Sequence, residues 1–134
     1  MKPSPEAIAH EFVRAINRQD VELLAELMSP EHRFVDALGG AVEGREKVQA
    51  AWKSYFRMVP DYTIAVEEIC CDGPVVVMLG IAQGTYAPKG QMLAENRWQT
   101  PAALRALIED GKVAEWRVYA DNEPIRQIMA RTTV

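Results

Sequence analysis

Residues 98–120 read WQTPAALRALIEDGKVAEWRVYA. Two runs rich in apolar residues flank Asp110-Gly111, a dipeptide that favours a tight hairpin turn. In an extended chain, side chains alternate between faces. Trp98, Thr100, Ala102, Leu104, Ala106 and Ile108 then share one face of the first run, and Arg97, Gln99, Ala103, Arg105 and Glu109 share the other. In the second run Ala114, Trp116, Val118 and Ala120 oppose Glu115, Arg117, Tyr119 and Asp121. Two long strands, each apolar on one side, need a cover over that side. Pro101 predicts an edge, a bulge or a bend, because it cannot donate to a ladder.

Upstream of this hairpin, everything after Pro60 reads as strand. Tyr62–Ile69 leads through Asp72-Gly73-Pro74 into Val75–Gln83, which is rich in β-branched residues. Pro88-Lys89-Gly90 makes a hairpin tip, and the long strand runs from about Gln91 to Ile108. The segment before Pro60 is mainly helical. Ser4-Pro5-Glu6 supplies an N-cap, a first-turn proline and a first-turn acid. Ile8, Phe12, Ala15 and Ile16 follow at helical spacing, up to Asn17–Gln19. Asp20 caps a short second helix with Val21, Leu24, Leu27 and Met28 as its buried face, and Ser29-Pro30 stops it. Arg33-Phe34-Val35 is a short strand, and Asp36 and Gly39-Gly40 follow. Gly44 precedes a third helix that buries Val48, Ala51, Trp52, Tyr55 and Phe56. The tail from Pro124 adds a helical turn. The expected fold is α+β, with about three helices from the N-terminal half on one curved, mostly antiparallel sheet.

The 134 residues are 49% hydrophobic and 25% charged, which fits one globular domain over residues 1–134 and excludes disorder as the main state. Lys and Arg total 15 against 19 Asp and Glu, a net charge of −4. That balance excludes the basic field of a nucleic-acid binder and the polybasic patch of a membrane anchor. No apolar stretch approaches the roughly 20 residues of a membrane span, and the first twelve residues hold no signal-peptide core. Cys70 and Cys71 are neighbours and make no disulfide framework; one is expected in a core and the other outside it. The expected location is the reducing cytoplasm. His10 and His32 read as surface residues, no ligand spacing points to a metal, and Gly39-Gly40 lacks the Lys-Ser/Thr partner of a phosphate loop. No cofactor is expected.

The order of elements resembles the cone-shaped fold of the nuclear transport factor 2-like (NTF2-like) superfamily, which includes ketosteroid isomerases, limonene epoxide hydrolases and SnoaL-type polyketide cyclases. The resemblance is carried by FVRAINRQD at residues 12–20, Phe34-Val35-Asp36, Glu43-Gly44-Arg45 and DGKVAEWRVYAD at residues 110–121. It implies a SnoaL-like or ketosteroid isomerase-like domain with a pocket inside the cone and two subunits paired through the outer sheet face. In ketosteroid isomerases an Asp after the first short strand is the general base, and Asp36 stands in that place. The two oxyanion donors of those enzymes fall on Phe12 and on Leu104 or Ala103, and the supporting tyrosine falls on Trp52. The acid–base set of limonene epoxide hydrolases falls on Leu79, Ile81 and Val118. The match therefore fits neither a true ketosteroid isomerase nor a limonene epoxide hydrolase. Asp121 is a second candidate acid, placed by parity on the outer face.

The chemistry of the residues points to the same place. A carboxylate at position 36 beside an apolar strand would be suited to proton transfer on a small carbonyl compound, as an isomerase, cyclase or lyase would need. Asp is equally a turn-former before Gly39-Gly40. The expected occupant is a small hydrophobic molecule, held by Phe12, Phe34, Trp52, Tyr55, Trp98, Thr100, Leu104, Trp116 and Val118. The alternative is the same fold acting as a non-catalytic binding module, or as a dimeric interaction module.

Overall fold

The computed structural model describes residues 3–132. Helix α1 (Pro5–Arg18) starts at Ser4, whose hydroxyl accepts from the Ala7 N–H at 3.1 Å. It ends where Gln19 turns left-handed at φ 56°. Asp20 caps α2 (Val21–Leu27) by accepting from the Leu23 N–H at 3.0 Å. Strand β1 (Met28–Val35), strand β2 (Ala41–Glu43) and helix α3 (Arg45–Met58) follow. The rest is β3 (Thr63–Asp72), β4 (Val75–Thr85), β5 (Arg97–Glu109), β6 (Lys112–Ala120) and helix α4 (Glu123–Thr132).

The sheet order is β2-β1-β6-β5-β4-β3. Strands β3 to β6 form the expected antiparallel meander. β1 joins its far side parallel to β6 and pairs antiparallel with β2. Along β5, Trp98, Thr100, Ala102, Leu104, Ala106 and Ile108 are all buried, as their alternation requires. They face a core with Phe12 and Ile16 of α1, Leu24 of α2, and Trp52 and Phe56 of α3. Pro101 lies one residue beyond the last pairing of β5 with β6, at Ala102 and Ala120, so β5 is locally an edge there.

Several expectations change. The strand after α2 has eight residues rather than three, and Ser29-Pro30 lies inside it. A register shift between Met28 and Arg33 accommodates the missing proline N–H. His32 is not at the surface. It is fully buried, with Nδ1 2.6 Å from the Val113 carbonyl and its ring beside Phe12 at 5.9 Å. On β6 a bulge opposite Leu107 and Ile108 moves Ala114 off the inner face and puts Val113 there. On α3, Ala51 is exposed and Tyr55 half-buried. Both Cys70 and Cys71 are exposed, near the end of the edge strand β3, where the Cys71 thiol lies 3.9 Å from Glu6 of α1. The tail makes a ten-residue helix rather than one turn.

Sheet curvature is set at Gly80. A Cβ there would lie 1.9 Å from the Ala65 carbonyl oxygen of β3. The register of β3 shifts opposite this point, between Val66 and Glu68. Only glycine lets the two backbones approach so closely where the sheet bends.

Candidate functional site

The space between helices and sheet divides into a sealed end and a hollow end. At the sealed end the Phe12 and Trp116 rings lie 4.7 Å apart, and Phe12, Trp116, Met28, Met78, His32 and Leu104 are at most 1% exposed. Phe12, Leu104 and Trp116 therefore stand outside the pocket that the sequence assigned them to. Leu104 and Trp116 share its face of the sheet and Phe12 of α1 packs over them, so side chains fill the volume there.

At the other end lies a cavity of about 410 Å³. Phe34 of β1, Trp52 and Tyr55 of α3, Trp98 and Thr100 of β5, and Val118 of β6 line it, as expected. The aromatic wall is continuous. Phe34 meets Trp52 edge-on at 5.7 Å, Tyr55 meets Tyr62 edge-on at 5.0 Å, and Tyr62 leans on Trp98 at 6.0 Å. Val48, Met58, Val59 and Ala82 add aliphatic surface.

The sequence reading missed Tyr62, Tyr86 and the α4 contribution of Ile125, Arg126 and Met129. Ile125, Ile128 and Met129 already show helical spacing after Pro124, which was the available signal. Just before the helix, Asp121 Oδ1 accepts from the Glu123 N–H at 2.9 Å, and the Asn122 carbonyl accepts the first helical bond from the Arg126 N–H at 2.9 Å. At its far end Arg131 donates to the Glu95 carbonyl. Asp121 is thus an exposed residue of the turn that leads into α4, outside the cavity lining.

Asp36 sits at the rim, exposed to solvent. Its Oδ1 accepts from the Leu38 N–H at 2.8 Å and the Gly40 N–H at 3.0 Å, closing the turn that carries the chain into β2. The turn also pairs the Asp36 N–H with the Gly40 carbonyl at 2.9 Å. Arg126 is the other charged residue of the lining, also exposed, 3.7 Å from Glu123. Both charges of the lining therefore lie at its opening.

The interior polarity comes from neutral groups. Burial pushes the Tyr55 hydroxyl well above its ordinary range, with a smaller push from Tyr62, and burial does the same to Tyr62. Both phenols stay protonated at any working pH. Thr100 Oγ1 makes only a long 3.5 Å contact with the Pro101 carbonyl. The indole N–H groups of Trp52 and Trp98 are buried with no acceptor among the described residues. The described residues hold no group of three or more His, Cys, Asp or Glu placed to bind a metal ion. No described helix is long and apolar enough to cross a membrane.

Comparisons with known proteins agree with this architecture. A candidate SnoaL-like polyketide cyclase from Shewanella denitrificans OS-217 superposes with a TM-score of 0.81 at 15% identity, covering 95% of this chain and 97% of that one. IdmH, a candidate polyketide cyclase from Streptomyces antibioticus, gives 0.78 at 21% identity, with coverages of 96% and 99%. A protein of ketosteroid isomerase-like fold from Catenulispora acidiphila DSM 44928, solved in complex with trimethylamine, gives 0.73 at 19% identity, with coverages of 87% and 86%. No curated protein matches the chain. The model of the SnoaL-like domain matches residues 9–116, from the first helix to the tryptophan at the centre of the last strand, and the chain belongs to that family.

Proposed function

We propose that this protein binds a small, largely apolar molecule in the hollow end of its cone. The observation that carries the reading is the cavity of about 410 Å³, walled by aromatic and aliphatic side chains, with its two charged residues at the rim. Cavities of this size and lining are what small-molecule sites require. The turn-closing bonds of Asp36 favour binding without catalysis, because they give the carboxylate a structural task. The direct test is native mass spectrometry of the purified protein for a retained ligand, repeated on Ala120→Trp. Ala120 lines the cavity, and a bulky ring there fills it. A ligand bound equally by both proteins lies elsewhere and removes the reading.

A second reading, catalysis, has one observation in its favour. Both hydrogen bonds to the Asp36 carboxylate go to Oδ1, and Oδ2 accepts none among the described residues. That oxygen is free to take a proton from a carbonyl compound at the cavity mouth, as an isomerase, cyclase or lyase would. Some neighbours of the same fold are described as candidate polyketide cyclases. Asp36→Asn assayed on cyclic enones and β-keto compounds tests it, and unchanged turnover discards it.

The outer sheet face exposes Tyr119 and Leu79 beside Ala103 and Pro101. We take this face to pair two copies of the chain. Light scattering that finds one chain per particle at micromolar concentration removes the dimer.

A further inference from the structure

We propose that helix α4 is a lid: it lifts off the sheet about Asp121-Asn122 to admit the ligand and docks again over it. The proposal rests on the ligand-binding reading above and adds how the cavity is entered.

With α4 in place, the inner walls of the cavity are hard to reach. Trp52, Tyr62, Tyr86 and Trp98 line it, yet each is at most 9% exposed, and Val48 and Val59 are not exposed at all. Ile125, Arg126 and Met129 of α4 form one side of the same cavity. Lifting the helix removes that side and bares the aromatic wall.

The helix is the element most easily lifted. Ile128 is its one buried side chain among the described residues, whereas α1 buries six and α3 three. Its far end is tied by Arg131, which donates to the Glu95 carbonyl in the turn before β5. A helix of ten residues is marginal in water by itself, so burial has to hold it down. The element with the least burial opens first, and lids are drawn from such elements. The pivot is short and defined. Ala120 is fixed in the sheet opposite Ala102, and α4 begins at Glu123, so Asp121 and Asn122 absorb the motion.

Occupancy closes the lid. A molecule in the cavity gains apolar contact with Ile125 and Met129 only when α4 is docked, so binding and docking favour each other.

The test is stopped-flow fluorescence of the whole chain with N-phenyl-1-naphthylamine, an uncharged probe that brightens in apolar surroundings. Arg131→Ala removes one tie of the closed helix. It should raise the association and dissociation rates together by about fivefold and leave Kd within about twofold. Hydrogen exchange read by mass spectrometry should show the α4 amides exchanging before those of α1 and α3, and slowing when the probe is bound. Unchanged rates in Arg131→Ala, or a faster dissociation alone, make α4 a fixed wall and overturn the proposal while leaving the binding reading standing. Exchange in α4 as slow as in α1 also overturns it. A probe bound equally by Ala120→Trp removes the binding reading instead, and the order of exchange then decides by itself whether α4 opens.

Discussion

Replacing Asp36 separates its two tasks. Alanine removes both turn-closing bonds, from the Leu38 N–H at 2.8 Å and the Gly40 N–H at 3.0 Å. Each is worth about 0.5–1 kcal/mol at an exposed site, so Asp36→Ala should cost about 1–2 kcal/mol. Asparagine keeps an acceptor oxygen at the same place and is a good turn residue. Asp36→Asn should therefore stay within about 0.5 kcal/mol of the parent. For a chain of 134 residues, 1 kcal/mol corresponds to a melting shift of about 4 °C. Urea unfolding at pH 7.5 gives the free energies, and calorimetry gives the shift. If Asn is as damaging as Ala, or Ala is neutral, the turn does not depend on this acceptor and the structural task assigned to Asp36 is wrong. If the prediction holds, Asp36→Asn is an intact fold in which any lost turnover reports chemistry alone.

Stability should also fall in mild acid. Burial holds the His32 imidazole below its ordinary value of 6.5, despite the Val113 carbonyl and the Glu115 charge, which both raise it. The unfolded chain thus takes up a proton that the folded chain refuses, so stability is lost as pH falls through 6.5 toward the lower folded value. Urea midpoints at pH 7.5 and 5.5 should differ less in His32→Gln than in the parent, and an unchanged difference rejects the assignment. Gly80→Ala should cost about 2 kcal/mol or more, since its Cβ meets the Ala65 carbonyl oxygen at 1.9 Å and the backbone must move; a loss below about 0.5 kcal/mol in urea unfolding would count against the bend as described. Tyr119→Arg places a charge at a residue 52% exposed on the outer sheet face and should abolish the proposed pairing, leaving single chains by light scattering; a dimer that persists rejects this face as the interface.

Much of the meander was legible because its strands are long and one-sided. The alternation from Trp98 to Ile108 leaves only one way to face the core. β2 was not legible: three residues, Ala41–Glu43, carry no period. The inner parity of β6 failed at its start because a bulge is an extra residue that no alternation announces. His32 was misread from its polar neighbours Glu31 and Arg33, which point away while the ring turns inward to the Val113 carbonyl. For the site, the sequence identified the correct face but not the depth along it. Trp98 and Leu104 alternate identically, yet one borders empty space and the other solid core. Which end stays hollow depends on how closely α1 and α3 approach the sheet, and that separation is a property of the assembled layers.

The parallel pairing of β1 with β6 sets the order in which the molecule can assemble. His32 bonds to Val113 across 81 residues, whereas β3 to β6 join through neighbouring hairpins. Closing the longer loop costs more chain entropy than zipping the hairpins, so the meander is expected to form first and the N-terminal third to dock onto it afterwards. A nascent chain from which β6 has not yet emerged would carry β1 paired with β2 alone, and the aromatic wall contributed by Phe34 would be the last part to arrive. Side-chain truncations in β1 should accordingly speed unfolding more than they slow refolding.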